Sequence, residues 1–166
     1  MQVTSKAMQI VPFAPQHVKE VGALIVGIQR DEFGIAITLE DQPDLQDIPE
    51  FYQRGAGNFW VALAEGEVVG TVALLDLGNH QGALRKMFVH TGYRGPAYGV
   101  SARLLQTLLG WSRAHGVKEV FLGTTEAFRA AHRFYERNDF QQIPAEELPP
   151  RFPKMAVDTR FYRLAL

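Results

Sequence analysis

The sequence contains no cysteine. Disulfides, a thiolate nucleophile and cysteine-ligated zinc are therefore excluded. It also lacks an excess of either charge: Lys plus Arg is 17, Asp plus Glu is 18, and the formal net charge is -1. A nucleic-acid-binding surface normally carries a basic excess or stripe, so no DNA or RNA partner is expected. Long hydrophobic runs are missing as well. A stretch such as Val68–Leu75 falls far short of the roughly 20 apolar residues that span a bilayer, and no membrane association is expected. Met1–Phe13 lacks the apolar segment of a secretory signal. The expectation is a soluble, cytoplasmic protein.

What is present suits one domain, 1–166. The chain has 166 residues, 46% of them hydrophobic, enough for a continuous core. Met8–Phe13 reads as a short strand ended by prolines. Gln16–Arg30 carries Val18, Val21, Leu24, Ile25 and Ile28 at helical spacing. Asp31–Asp47 reads mainly as loop, and a short helix is expected over Leu45–Arg54. Asn58–Ala64 and Val68–Leu77, joined by Glu65-Gly66-Glu67, form a hairpin. A strand over Ala83–His90 completes an antiparallel meander.

Beyond Gly92 the pattern changes. Gly95, Pro96 and Gly99 punctuate a turn, and a long helix follows with Val100, Leu104, Leu105, Leu108, Leu109 and Trp111 on its buried side. Gly116 is a natural stop. Val117–Gly123 reads as a strand, Ala127–Arg137 as a helix, Phe140–Ile143 and Met155–Leu166 as strands, with a proline-rich loop between these last two. Strand, turn, helix, strand is a β-α-β unit, which requires a parallel pair and a right-handed crossover. The fold class is thus α/β: a mixed, mostly antiparallel sheet with a central β-α-β unit and helices on both faces.

The segment Arg94–Val100 opens the long helix. First-turn N–H groups lack internal partners and sit at the positive end of the helix dipole. With small residues around them, they suit a phosphate or pyrophosphate. The other reading is that Gly95 and Gly99 only make a tight turn. The chain has no Gly-Lys-Ser or Gly-Lys-Thr, so the turn is not a P-loop, and no dinucleotide G-x-G-x-x-G pattern is present.

A second stretch, Ala131-His132-Arg133-Phe134-Tyr135 through Phe140, follows the next strand. Together the two resemble the GNAT superfamily of N-acetyltransferases. That family's pyrophosphate motif runs Arg or Gln, two variable residues, Gly, one variable residue, then Gly or Ala; Arg94, Ala97 and Gly99 occupy those positions. Its later motif runs Asn, two residues, Ala, two residues, Phe-Tyr, then Gly-Phe. Ala131, Phe134, Tyr135 and Phe140 match, while Phe128 replaces Asn and Asp139 replaces Gly.

The resemblance implies an acetyl-CoA-dependent N-acetyltransferase, with acetyl-CoA as co-substrate and no metal. Backbone groups of Met87, Phe88 and Val89 would pair with the pantetheine arm. Amides of the turn, from Arg94, Gly95, Ala97, Tyr98, Gly99 and Val100, would hold the pyrophosphate. Tyr135 would be the catalytic acid for the departing thiolate, the alternative being core packing on a face shared with Phe128 and Ala131. Many family members carry a base Glu where this chain has Ala83. Glu126 and His132 are substitute candidates, set against a dipole-favoured carboxylate and a solvent-facing histidine. Arg129, Arg133 and Arg137 form either a solvated face or a contact to the 3′-phosphate.

The acceptor is a small-molecule or peptide amine. Loops carry specificity, so it is expected to meet Arg30–Tyr52 and Pro144–Pro153. Phe33, Phe51 and Tyr52 would supply an apolar lining; Asp31, Glu32, Asp44 and Asp47 would attract a cation. Direct attack in a ternary complex is expected, because no thiol exists to carry the acyl group. The rival is a non-catalytic acyl-CoA-binding or interaction domain. Oligomeric state stays open, with the C-terminal strand as the candidate edge for a homodimer.

Overall fold

The computed structural model describes residues 8–95 and 97–166; Pro96, and the signal-free reading of the first seven residues, lie outside them. Seven strands form one sheet in the order β1-β2-β3-β4-β5-β7-β6. They are β1 (Met8–Pro12), β2 (Asn58–Ala64), β3 (Glu67–Gly78), β4 (Gln81–Val89), β5 (Glu119–Thr124), β6 (Gln141–Ile143) and β7 (Arg160–Ala165). The helices are α1 (Val18–Asp31), α2 (Pro43–Gln46), α3 (Ile48–Phe51), α4 (Val100–Ala114) and α5 (Arg129–Arg137). Only β4 and β5 run parallel, bridged by α4; every other neighbouring pair is antiparallel. The expected mixed sheet and central β-α-β unit are both there.

The side-chain alternation of β2 builds two cores. Trp60 and Ala62 join Leu104, Leu105 and Leu108 of α4 on one face of the sheet. Phe59 and Val61 join Val21 and Ile25 of α1, with Ile48 and Tyr52, on the other. Burial of such side chains from both faces is the main stabilising contribution, about 1.5–3 kcal/mol for each large one. Trp111 is only partly buried and donates its indole N–H to the Ala56 carbonyl at 2.8 Å. Val18 is 44% exposed and drops out of the α1 stripe.

Three sequence expectations change. The helix foreseen over Leu45–Arg54 is split at Asp47, whose non-helical backbone ends α2 and whose side chain accepts from Glu50 N–H to start α3. The last strand begins at Arg160, not Met155, because Met155 and Asp158 close a turn on each other through two hydrogen bonds of 3.0 Å. The C-terminal strand is not an edge: β7 is paired with β5 on one side and β6 on the other. It cannot accept a second copy edge to edge.

Candidate active site

The site lies where β4 and β5 part. Their parallel pairing covers only Gln81–Glu119, Gly82–Val120 and Ala83–Phe121. From Leu84 onward the β5-facing edge of β4 has no strand partner, and a cavity of about 510 Å³ opens in the gap. Met87, Phe88 and Val89 line it from β4, Leu122 and Thr124 from β5, and Tyr135 from α5. An unpaired strand edge beside a cavity offers peptide N–H and C=O groups to an amide-bearing ligand such as a pantetheine arm. One of these groups is already engaged: the Val89 carbonyl accepts Arg94 Nε–H at 2.8 Å.

The start of α4 closes one end. Gly99 is its N-cap with φ 60, and no side chain caps the helix. The left-handed backbone there favours glycine. The first turn holds no acidic residue. The amides of Arg94 and Gly99 are bonded within the turn, to Thr91 and Gly95 carbonyls. The first amide bonded back along the helix is Arg103, to Gly99. The amides of Ala97, Tyr98, Ser101 and Ala102 have no acceptor among the described residues and form a seat suited to an anion; Ser101 itself lines the cavity. Gly95, Ala97 and Tyr98 are exposed at this seat and Val100 is buried below it. Arg94 borders the cavity as well, and its guanidinium makes a bidentate pair with Glu32 at 2.7 and 2.9 Å.

Tyr135 is buried, its ring packed edge-on against Phe140 and tilted against Tyr162. The ring is part of the core, and the residue also borders the first cavity. Its hydroxyl has no hydrogen-bond partner among the described residues, unusual for a buried tyrosine. Burial pushes its pKa well above the ordinary phenol value, which favours the protonated form and keeps the O–H available as a donor.

A second cavity, about 520 Å³, adjoins the first on the α1 side of the sheet. Phe33, Arg85, Lys86, Phe88 and Phe128 border both. Arg85 and Lys86 reach the same cavity because β4 bulges there: Lys86 has φ 56, and the register against β3 shifts between Ala73 and Thr71. In a regular strand the two would face opposite sides. The Thr71 hydroxyl, bonded to the Lys86 carbonyl at 2.7 Å, holds the bulge. Lys86 donates to Gln42 at 2.8 Å and pairs with Asp44 at 3.5 Å. Desolvation pulls its pKa down while Asp44 opposes.

Sequence reading placed this second cavity only in part. Phe33, Phe51 and Asp44 line it. Tyr52 instead lies buried behind it and donates to Asp44 at 2.6 Å. Glu32 is committed to Arg94 and Asp47 caps α3. The late loop contributes Pro153 and then Met155–Asp158; Pro149, Pro150 and Arg151 line a separate, smaller hollow near Gly78. The base candidates also move. His132 is buried, not solvent-facing, with Nε2 donating to the Thr125 carbonyl at 2.8 Å. Glu126 pairs with Arg160 at 3.0 Å on the surface. Neither lines either of these two cavities. Arg129 lines the first cavity, while Arg133 and Arg137 are exposed on α5. Arg85, Lys86 and Asp158 were missed; the adjacent Arg85-Lys86 pair inside an apolar strand was the one visible signal.

Comparison with known proteins gives the same frame. The model of the acetyltransferase (GNAT) family matches residues 25–140. An acetyltransferase of GNAT family from Staphylococcus aureus Mu50 superposes with a TM-score of 0.91 at 36% identity, covering 96% of this chain and 99% of that one. N-acetylaspartate synthetase from Xenopus tropicalis is 33% identical over 127 residues, 73% of this chain and 45% of that protein; the chain thus spans less than half that relative's length. The fold alone is shared with N-acetylglutamate synthase from Neisseria gonorrhoeae complexed with coenzyme A and N-acetyl-glutamate, at a TM-score of 0.73 and 17% identity over 96% of this chain and 35% of that one.

Proposed function

We infer, from the premise that this chain belongs to the GNAT family of acetyltransferases, that residues 1–166 act as one unit moving an acetyl group from acetyl-CoA to the primary amine of a small molecule. The observation that carries this is the parting of β4 and β5, with two cavities meeting across it. One is bordered by Tyr135 and the uncapped start of α4. The other is bordered by charged side chains. Donor and acceptor thereby gain separate entrances to one gap. The relative named for N-acetylaspartate supports an amine acceptor of amino-acid size.

The residues fit the donor. Ser101 and Ala102 amides would take the pyrophosphate, and the free edge of β4 at Met87 and Phe88 would take the pantetheine amides. Bound acetyl-CoA would supply an acetyl group already activated as a thioester. The neutral amine nitrogen attacks the carbonyl carbon directly and the C–S bond breaks. The proton the nitrogen sheds goes to solvent, from which the Tyr135 phenol is restored after it protonates the leaving sulfur. Tyr135 gives that sulfur its phenolic proton; the raised pKa keeps the proton available until negative charge develops. Ala83 is buried at the last parallel pair and offers no carboxylate. Holding the reactants together supplies much of the acceleration.

Release of free CoA thiol from acetyl-CoA, with and without a panel of primary amines, tests the reading. Amine-dependent release is expected. CoA binding without release by any amine would mark a non-catalytic binding domain.

A further inference from the structure

The second cavity is bordered by five charged side chains: Asp41, Asp44, Arg85, Lys86 and Asp158. Three are already occupied. Asp44 is satisfied by Lys86 and by the Tyr52 hydroxyl. Asp41 is exposed and accepts from the amide and hydroxyl of Thr38. Arg85 and Asp158 remain. The Arg85 guanidinium lies 6.0 Å from the ring centres of both Phe51 and Tyr52, and its one polar contact is the Met155 sulfur at 3.7 Å. It has no carboxylate within ion-pair distance among the described residues. Aromatic rings and a thioether steady the side chain without neutralising it, leaving a forked donor facing the cavity.

Asp158 comes from the loop before β7. One carboxylate oxygen accepts the Met155 amide at 3.0 Å; the other has no partner among the described residues. The carboxylate lies against β5 at Gly123, where a Cβ would sit 2.7 Å from its oxygen. Glycine at that position is what admits the side chain. Gly123 lies between Leu122 and Thr124, which border the donor cavity from the opposite face of β5. Asp158 is thus set close to the gap between β4 and β5. Burial raises its pKa, opposed by the Met155 amide and the charge of Arg85.

We propose that this cavity is built for a zwitterionic acceptor, an amino acid, with Arg85 binding its carboxylate and Asp158 seating its ammonium at the gap. Charge complementarity of this kind selects one class of amine: a carboxylate gains a bidentate partner in Arg85, whereas a plain amine leaves the guanidinium desolvated and unpaired. Asp158 holds the nitrogen and takes up the proton that must leave before attack. The assignment rests on the acetyltransferase reading above.

The test uses matched triplets, an amino acid with its carboxamide and its decarboxylated amine, in the CoA-release assay. The wild type is expected to prefer the amino acid by about ten- to hundred-fold in kcat/KM, the usual range for a charge-assisted pair. Arg85→Gln is expected to erase that preference, lowering kcat/KM far more for the amino acid than for its carboxamide; Arg85→Lys is expected to restore part of it. Asp158→Asn is expected to lower kcat/KM for all three alike, while the CoA-induced rise in melting temperature, unchanged, reports an intact fold. Equal use of all three by wild type, or a preference that survives in Arg85→Gln, overturns the assignment and leaves the transferase reading standing. Release with no amine at all overturns both.

Discussion

The rings of Phe33 and Phe128 lie 4.1 Å apart at an angle of 33°, and this pair borders both cavities. Phe33 follows the end of α1, and Phe128 precedes α5, at the place where the family motif carries Asn. The departure from the motif therefore has a structural role. It supplies an aromatic partner that ties the acceptor-side loop to the helix bearing Tyr135.

Replacing Phe128 with Ala removes that tie. A stacked aromatic pair contributes about 0.5–1.5 kcal/mol beyond its burial, so acceptor KM is expected to rise roughly two- to tenfold. CoA affinity is expected to change less, since neither ring is among the groups proposed to hold the pyrophosphate or the pantetheine amides. Steady-state kinetics with saturating acetyl-CoA measure this, and an unchanged acceptor KM would detach the ring pair from acceptor binding.

Ser101→Glu places an anion on the first turn of α4. A carboxylate there is favourable to the helix, so the fold is expected to hold while phosphate is repelled. CoA at a hundredfold excess over its dissociation constant stabilises the native state by about 2.7 kcal/mol. Thermal unfolding with CoA is expected to show that rise in the wild type and none in Ser101→Glu. A full rise in the variant would put the phosphates elsewhere.

Tyr135→Phe deletes one hydroxyl from a ring that otherwise stays packed. Losing a general acid typically lowers the rate by about a hundredfold to ten-thousandfold, with CoA affinity little changed. Because burial disfavours the phenolate, the phenol pKa is raised. No alkaline loss of activity from Tyr135 is expected up to its ordinary value of 10.0. A pH–rate profile of both proteins checks the pair of expectations together. Full turnover in Tyr135→Phe would leave the ring as packing alone.

Glu126→Gln and His132→Gln are each expected to keep turnover within about tenfold, or 1.36 kcal/mol of barrier. Glu126 spends its charge on Arg160 at the surface. His132 spends its ring N–H on the Thr125 carbonyl, so its loss should cost about 1 kcal/mol of stability and lower the melting temperature by about 2–4 °C. Kinetics and thermal unfolding of the two variants separate the effects. A near-neutral limb in the wild-type pH profile that vanishes in either would identify a base among them.

The elements of this protein were legible in the sequence because each depends on neighbours in the chain. The stripe Val100, Leu104, Leu105, Leu108 sets α4, and Gly99 ahead of it marks an uncapped helix start. The two short turns of the meander force its antiparallel pairing. Tyr135 was legible through its place in a motif. Met87, Phe88 and Val89 were legible as strand residues, though only the parting of β4 and β5 after Ala83 gives their edge anything to bind.

What the tertiary structure decided are relations between distant segments. The bulge at Lys86 turns two adjacent side chains into one cavity, and a hydrogen bond from Thr71 on another strand spans it. Asp158 reaches the gap because β7 threads between β5 and β6 and because Gly123 leaves it room. Arg94 in the phosphate turn pairs with Glu32, and His132 is buried where helical periodicity suggested solvent. Periodicity and turn chemistry report each residue's preference for water or core and for a backbone angle. They carry no record of which other element arrives beside it, and the acceptor side of this site is made of such arrivals.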